Sequence, residues 1–150
     1  MLSSMIHGSA SALSTSAAQT QSLGEELGKR LRAGDLVTLR GELGAGKTTF
    51  VQGLARALGI SEITSPTFVL IIEHEGAIPL LHLDAYRLES LCFDAVRDAG
   101  VDEFLARTDA IKLVEWPQMI ADFLPLPNFA VEIEHGENEN ERRVKIQKYA

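Results

Sequence analysis

The sequence predicts an α/β protein, a three-layer sandwich with a mostly parallel central sheet and an antiparallel edge hairpin. Apolar runs of strand length recur along the chain, as in "LVTLR", "IPLLHLD" and "IKLVE". Continuous runs of this kind are typical of buried parallel strands. Segments with apolar residues at helical spacing lie between them, and the last strand-like segments alternate apolar and polar residues around a polar loop. Together these three patterns indicate a sheet covered by helices on both faces.

The first helix is predicted within "TQSLGEELGKRLRAG", residues 20–34. Thr20 or Ser22 can cap its first turn, and Gly34 marks its end. Three leucines repeat at helical spacing and predict its buried face: Leu23, Leu27 and Leu31.

The next elements alternate between strand and helix. Residues 35–40 predict a buried strand, and residues 47–59 predict a helix with one apolar face that stops at Gly59. The stretch "SPTFVLIIEHEGAIPLLHLD", residues 65–84, predicts two strands joined by a tight "HEG" turn.

The second half of the chain is less regular at first. Residues 85–107 predict short helical pieces, and "IKLVE" predicts a strand that Pro117 halts before a short helix, "QMIADFL". The final segment, residues 128–149, predicts the hairpin at the sheet edge.

Length and composition predict one globular domain. A chain of 150 residues can bury a core without disulfides or metals, and 45% hydrophobic with 23% charged residues is ordinary for this class. The first residues are rich in Ser, Ala and Thr and predict a flexible lead-in over residues 1–19. We expect residues 20–150 to form the single domain.

Charge and cysteine content restrict the function. A formal net charge of −7 argues against a protein that grips a nucleic-acid backbone through its own surface. The single cysteine, Cys92, excludes an internal disulfide and a Cys-rich metal site, which fits a reducing compartment. No apolar run approaches the roughly 20 residues of a membrane span, and the N-terminus lacks the pattern of a secretory signal. We expect a cytoplasmic protein with no membrane contact.

The stretch "GELGAGKT" matches G-x-x-x-x-G-K-[ST] at Gly41, Gly46, Lys47 and Thr48. The glycines let backbone N–H groups turn inward around phosphate oxygens, where a side chain would clash. The lysine reaches the β- and γ-phosphates, and the threonine hydroxyl binds Mg²⁺. A chance Gly-rich turn is a weak alternative, because a predicted strand precedes the motif and a predicted helix follows it. The motif predicts a P-loop NTPase-like sandwich.

Such a loop needs an acidic residue at the end of a neighbouring strand to hold Mg²⁺ directly or through water. Asp84 ends "IPLLHLD" and Glu115 ends "IKLVE". Spacing does not rank them, and for one of the two a solvated strand-end carboxylate is a fair interpretation.

Several other residues allow both a functional and a structural interpretation. Ser65 and Thr67 stand where P-loop proteins often sense the γ-phosphate, although a Pro turn that starts a strand explains them equally well. His82 is more simply a packed core histidine than a base or a metal ligand. Arg87 can reach phosphate or a partner, with a surface ion pair as the default. Trp116 can pack over the site, anchor a partner or fill the core.

The segments "GELGAGKTTF", "SPTF", "HLDAYRL" and "VEWP", in this order and spacing, resemble the TsaE (YjeE) family of bacterial P-loop ATPases. The resemblance runs from about Thr20 to the closing hairpin. It implies a single P-loop ATPase domain that binds Mg·ATP and hydrolyses it slowly. It also implies TsaD and TsaB as protein partners, which transfer threonylcarbamoyl to adenosine in tRNA, so that this chain meets tRNA only indirectly.

The resemblance also implies roles for individual residues. Glu115 matches the family's second Mg²⁺ ligand beside Thr48, and Asp84 matches an acidic residue needed for activity, which orients the metal's water or the attacking water. With Lys47 these two carboxylates form the implied catalytic set. Ser65 and Thr67 correspond to the switch-like segment. The implied nucleotide-binding residues are Thr20, Gly41, Gly44, Ala45, Gly46, Lys47, Thr48 and Thr49.

Two alternatives remain open from the sequence. A small P-loop kinase for a nucleoside or another small molecule would need an acceptor pocket and an arginine-rich lid, and the segment 86–107 holds only three arginines. A non-catalytic module would use ATP only for assembly with its partners. Phosphate transfer to nucleosides would reveal the kinase, and complex function without hydrolysis would reveal the assembly module.

Overall fold

A computed structural model describes residues 8–64, 71–88 and 93–149. The strands are β1 (Gly8–Ser14), β2 (Leu36–Arg40), β3 (Ile71–His74), β4 (Leu80–Asp84), β5 (Ile111–Glu115), β6 (Phe129–His135) and β7 (Arg142–Lys148). The α-helices are α1 (Ala17–Gly28), α2 (Lys47–Ala57), α3 (Phe93–Asp98) and α4 (Val101–Ala106). Two 3₁₀ helices span Tyr86–Leu88 and Pro117–Phe123. No helix among these residues has the length and apolar character needed to cross a membrane.

The seven strands form one sheet in the order β1-β7-β6-β2-β5-β4-β3. The four central strands, β6, β2, β5 and β4, run parallel to one another. Antiparallel strands close the sheet at both margins, β7 and β1 on one side and β3 on the other. The predicted parallel centre with an antiparallel hairpin is therefore confirmed, with β1 added outside the hairpin as the edge strand.

Helices cover both faces of the sheet and complete the three layers. On one face α1 and α2 pack against β2, β5, β6 and β7, in a cluster that includes Leu27, Leu39, Phe50, Leu54 and Val131. On the other face α3, α4 and the second 3₁₀ helix pack against β4 and β5, in a cluster that includes Leu83, Val96, Phe104, Val114 and Ile120. Because side chains alternate along a strand, the central strands β2, β4 and β5 contribute to both clusters.

The helices α1 and α2 approach each other closely because glycines lie in their interface. A Cβ atom added at Gly53 would lie 1.8 Å from the Gln21 carbonyl oxygen, and one at Gly24 would lie 2.0 Å from the Phe50 oxygen. No side chain fits at either distance, so both positions require glycine. This contact fixes the axis of α2, whose first turn continues from the glycine-rich motif of residues 41–48, called the phosphate loop.

For residues 8–19 the structure corrects the prediction of a flexible lead-in over residues 1–19. Residues 8–14 form β1, which pairs antiparallel with β7 along its whole length. Helix α1 begins at Ala17, and its N-cap is Ser16, whose side chain accepts the N–H of Gln19 at 3.1 Å, instead of Thr20 or Ser22. The Ser- and Ala-rich sequence hides this strand, because small residues produce little hydrophobic contrast between its two faces.

The predicted end of the first helix, near Gly34, is also wrong. Helix α1 ends at Gly28, and the chain turns before β2. Gly34 adopts a left-handed φ of 95° and donates its N–H to the Ala110 oxygen at 2.8 Å, so it belongs to the turn into the sheet. The buried face continues past the helix end, since Leu31 is also buried.

The remaining element predictions are confirmed within the described residues, with two adjustments. The connection between β3 and β4 spans residues 75–79 and is longer than the predicted "HEG" turn. The segment after Trp116 is a 3₁₀ helix with Pro117 at its start. Ser65 and Thr67 lie outside the described residues, as does Cys92.

Candidate functional site

The phosphate loop lies between the carboxyl end of β2 and the first turn of α2. Gly44 and Gly46 have φ values of 77° and 102°, a left-handed conformation that glycine adopts without strain. A Cβ atom at Gly41 would lie 2.9 Å from the Ile133 oxygen and 3.3 Å from Cγ of Lys47. The two outer glycines of the motif therefore have separate geometric reasons, one a close approach and the other a backbone turn.

The loop presents the amino terminus of α2. Gly46 is the N-cap, and the first hydrogen bond of the helix is donated by Phe50 N–H to the Gly46 oxygen at 3.0 Å. The N–H groups of Lys47, Thr48 and Thr49 precede this bond and have no acceptor within the helix. Thr48 is exposed and Thr49 is partly buried. Free N–H groups and the positive end of the helix dipole make this turn suited to an anion.

Lys47 is the buried cation of the site. It is 8% exposed, and its Nζ lies 4.1 Å from the centre of the Trp116 ring. Burial lowers the pKa of the Lys47 amine, while the carboxylates of Glu115 and Asp84 oppose that shift. A lysine held in this way is under-solvated, so an anion placed beside it gains more attraction than it would at a solvated lysine.

The two candidate carboxylates lie side by side at the same edge of the sheet. Asp84 and Glu115 are direct partners in the parallel pairing of β4 with β5. Glu115 is also paired with Leu39 of β2, the strand that leads into the loop. The structure therefore brings both residues to the loop and places Glu115 on the strand adjacent to it, with Asp84 one strand further out. Asp84 Oδ1 accepts the N–H of Tyr86 at 3.0 Å.

His82 is a packed core histidine with a specific polar partner. It is 1% exposed, and its Nε2 lies 2.9 Å from Oε2 of Glu115. The period-two spacing of His82 and Asp84 already placed both side chains on one face of a strand. The bond to Glu115 depended on the pairing of β4 with β5, which the sequence did not specify.

Trp116 follows Glu115 and has a positive φ of 56°, the one non-Gly residue among those described with this conformation. Its backbone N–H donates to the Leu39 oxygen at 3.3 Å. Its ring packs edge-on against Tyr86, with 4.9 Å between ring centres. The left-handed turn directs the indole towards Lys47, so the structure places Trp116 over the site.

Thr20 lies in α1 beside the loop. Its Cγ2 atom is 3.8 Å from the position that a Cβ atom at Gly46 would occupy. Its Oγ1 lies 2.7 Å from Oγ of Ser14, and that serine donates its own hydrogen to the Ser16 oxygen at 2.8 Å. The Thr20 hydroxyl is therefore the donor to Ser14. The structure brings Thr20 to the loop with its hydroxyl turned towards β1.

Arg142 is a loop contact that the sequence interpretation missed. It lies at the start of β7, and its Nη2 donates to the Gly44 oxygen at 3.2 Å. Its Nη1 donates to the carbonyl oxygens of Glu139 and Glu141 at 2.7 and 2.8 Å. No local pattern could reveal this contact, because 98 residues separate Arg142 from Gly44. Arg87, the arginine that the sequence suggested, is exposed in the first 3₁₀ helix.

An open cleft borders the loop beside the carboxyl end of β6. Its volume is about 480 Å³. Gly41, Ala45 and Trp116 contribute to its wall, together with Glu132 and Glu134 of β6.

Comparisons with known proteins identify a family and several relatives. Residues 14–144 match the family model described as TsaE, threonylcarbamoyl adenosine biosynthesis protein. A tRNA threonylcarbamoyladenosine biosynthesis protein TsaE from Bacillus subtilis is 43% identical over 113 residues, 73% of this chain and 68% of that protein. The TsaE protein of Treponema pallidum is 44% identical over 114 residues, 75% of this chain and 82% of that protein.

A solved structure extends the likeness to the fold. The crystal structure of YdiB from Bacillus subtilis superposes with a TM-score of 0.75 at 30% identity, and it covers 95% of this chain and 86% of that one. The family match spans most of the chain and includes the loop, both carboxylates and most of the sheet. The chain belongs to the TsaE family of threonylcarbamoyl adenosine biosynthesis proteins.

Proposed function

We propose that this protein binds Mg·ATP, hydrolyses it slowly and thereby supports a TsaD–TsaB complex in the threonylcarbamoyl modification of adenosine in tRNA. One observation carries the proposal. The phosphate loop, the buried Lys47 and the paired carboxylates of Asp84 and Glu115 meet at the carboxyl edge of the parallel strands. This edge is where open α/β sheets bind their ligands.

The phosphates of the nucleotide would lie against the first turn of α2. Loop residues Gly44 to Thr49 supply the left-handed glycines and the free N–H groups, and Lys47 supplies the positive charge. Lys47 rests on Trp116 and near two carboxylates in the free protein, so the amine is already directed towards the edge where the γ-phosphate would lie.

The donor set suits Mg²⁺ bound together with a nucleotide. Thr48 offers a hydroxyl, and Glu115 and Asp84 offer carboxylates, which are oxygen ligands of the kind Mg²⁺ prefers. Among the described residues no three His, Cys, Asp or Glu side chains are grouped to hold a metal without other ligands. Mg²⁺ characteristically takes one or two carboxylates and completes its shell with phosphate oxygens and water. When bound, the cation would neutralise charge on the phosphates.

The protein's own residues would divide the catalytic work. Lys47 and the loop amides would stabilise charge on the transferring phosphoryl group. Asp84 would orient water, since its carboxylate lies beside Glu115 and at the same edge. Arg142 reaches the loop, but its observed hydrogen bonds are to main-chain carbonyl oxygens. With that arginine engaged, we expect hydrolysis by the isolated chain to be slow and to depend on a partner.

The partner assignment rests on the family resemblance and on charge. A net charge of −7 disfavours direct binding to the tRNA backbone, so other subunits would hold the tRNA. Arg87 and the half-exposed Tyr86 lie on the segment after Asp84, next to the site, where a partner would sense the nucleotide.

The test is nucleotide binding and turnover by the whole chain. Lys47→Ala should weaken binding of Mg·ATP at least tenfold, since it removes a charge-assisted contact worth about 1.5–3 kcal/mol. Lys29→Ala is the matched control, because Lys29 is an exposed lysine at the end of α1. Phosphate release should be slow alone and should rise when TsaD and TsaB are added. Fast phosphate release by the isolated chain would contradict the dependence on a partner. Equal affinity of the Lys47→Ala and Lys29→Ala variants for Mg·ATP would refute the proposed nucleotide site.

A further inference from the structure

A buried histidine supports the carboxylate of Glu115 from within the sheet. Nε2 of His82 lies 2.9 Å from Oε2 of Glu115, and both residues are less than 10% exposed. A carboxylate can only accept, so Nε2 carries the hydrogen and donates it. Hydrogen bonds to an ionised acceptor are shorter and stronger than neutral ones, and burial increases their effect.

The strand pairing determines the direction of this contact. His82 is paired with Leu113 on the neighbouring parallel strand, two residues before Glu115 on the same face. The imidazole therefore meets the carboxylate from the interior end of β5. The opposite side of the carboxylate is left towards the edge where Asp84, the direct partner of Glu115, and the phosphate loop lie.

The second ring nitrogen of His82, Nδ1, argues against a purely space-filling role for this side chain. Nδ1 of His82 is buried and has no hydrogen-bond partner among the described residues. Burying an imidazole with one nitrogen unsatisfied costs free energy that a Leu or Phe at the same place would avoid. The hydrogen bond to Glu115 is thus the main polar interaction that His82 makes, and core filling does not account for it.

We propose that His82 is a positioning residue that orients the Glu115 carboxylate for the cation of the nucleotide site. The inference rests on the proposed function, because it requires Glu115 to bind that cation or its water. With Oε2 held by His82, Oε1 of Glu115 would remain to bind the cation or its water. Removal of a group that holds a metal-binding carboxylate in this way weakens metal affinity roughly 10- to 100-fold.

This role differs measurably from a purely structural one. A histidine that only maintains the fold would affect nucleotide binding equally with and without Mg²⁺. A histidine that orients Glu115 would affect only the part of the affinity that Mg²⁺ adds. The informative quantity is therefore the ratio of the dissociation constants of a non-hydrolysable ATP analogue measured in EDTA and in excess Mg²⁺.

Three substitutions at His82 separate the effect of its hydrogen bond from the effect of its side-chain volume. His82→Leu removes the hydrogen bond and should reduce the ratio roughly 10- to 100-fold while the constant in EDTA stays unchanged. His82→Gln places an amide N–H near the position of Nε2 and should retain most of the ratio. His82→Asn keeps an amide that is too short to reach Glu115 and should behave like the leucine variant. If the leucine variant does not fold, the glutamine and asparagine pair decides.

His74 provides a matched control. It lies on β3, next to β4 and on the same face, and its Nε2 is also buried without a partner among the described residues. Among the described residues the hydrogen-bonding side-chain partner of Glu115 is His82 and not His74, so His74→Leu should leave the ratio at the wild-type value.

The outcomes are distinguishable. A wild-type protein that binds the analogue no better with Mg²⁺ would overturn the proposed function and this inference together. A wild-type protein with strong Mg²⁺ dependence, and His82 variants with the same ratio, would overturn only the inference. If the His82 variants bind the analogue more weakly by the same factor in EDTA and in Mg²⁺, His82 has a structural role and the inference is overturned as well.

Discussion

The two faces of the sheet are packed in different ways. On one face, helices of 12 and 11 residues meet through glycines, with backbone atoms in direct contact. On the other, two six-residue helices and a 3₁₀ helix cover the sheet with side chains such as Phe104 and Ile120. The buried polar groups differ as well. Lys47, His82 and Glu115 belong to the first face, whereas Lys112 belongs to the second and donates to the Leu105 oxygen at 3.0 Å.

This difference suggests how stability and binding are divided. The α1–α2 face positions the phosphate loop and gathers charged groups at one end of the sheet. The opposite face contributes apolar burial, and its one buried lysine is tied to a carbonyl. We expect damage to the second face to cost stability alone, and damage to the first to cost nucleotide affinity as well.

Phe104→Ala should have the largest effect on stability. Phe104 is 3% exposed in α4, and truncation of a buried Phe costs about 3–5 kcal/mol in the free energy of unfolding. Affinity for Mg·ATP, measured below the melting temperature, should stay within twofold of the wild type. Urea unfolding and calorimetric titration measure the two quantities, with Glu103→Ala, an exposed neighbour, as the control. If Phe104→Ala lost Mg·ATP affinity together with stability, the two faces of the sheet would not differ in their contribution to binding.

Gly53→Ala should lower stability by about 1–3 kcal/mol or more, because its new Cβ would collide with the backbone of Gln21. The sign is diagnostic, since Gly to Ala within an unobstructed helix stabilises by about 0.5–1 kcal/mol. Separation of α1 from α2 should also weaken Mg·ATP binding, because α2 carries the loop. The control is Gln52→Ala at the exposed neighbouring position. A stable variant with wild-type affinity would show that the close helix contact is not required.

The smallest effect is a pH dependence confined to the first face. Burial, and secondarily His82, lower the pKa of His74 below its ordinary 6.5, opposed by a hydrogen bond at Thr64. Below about pH 6.5 the unfolded chain therefore binds more protons at this residue than the folded one, so stability falls as pH decreases. The slope from one group is at most about 1.4 kcal/mol per pH unit.

The measurement is urea unfolding between pH 5 and 7.5. His74→Gln should reduce the slope of stability against pH, and His135→Gln, which removes an exposed histidine, should leave the slope as it is. An unchanged slope in His74→Gln would show that this imidazole is not the group responsible.

Most of the architecture follows from local patterns. The strand-length apolar runs predicted β2, β4 and β5, and the final alternation predicted β6 and β7, because periodicity reports which face of an element is buried. The boundaries of α1 and the strand β1 were missed. In that stretch Ser and Ala offer little hydrophobic contrast, and the capping role passed to Ser16, a residue that composition alone assigned to a flexible segment.

The sequence by itself predicted the phosphate loop, because eight consecutive residues match its motif, and it also predicted that Asp84 and Glu115 end strands. Only the tertiary structure decided which strand is adjacent to β2, that His82 bonds Glu115, that Trp116 covers Lys47 and that Arg142 reaches Gly44. These contacts join residues 33 to 98 positions apart along the chain or, at Trp116, depend on one left-handed turn. Local periodicity carries no information about contacts between residues so far apart in the sequence. The order of the strands in the sheet determines which of these residues meet.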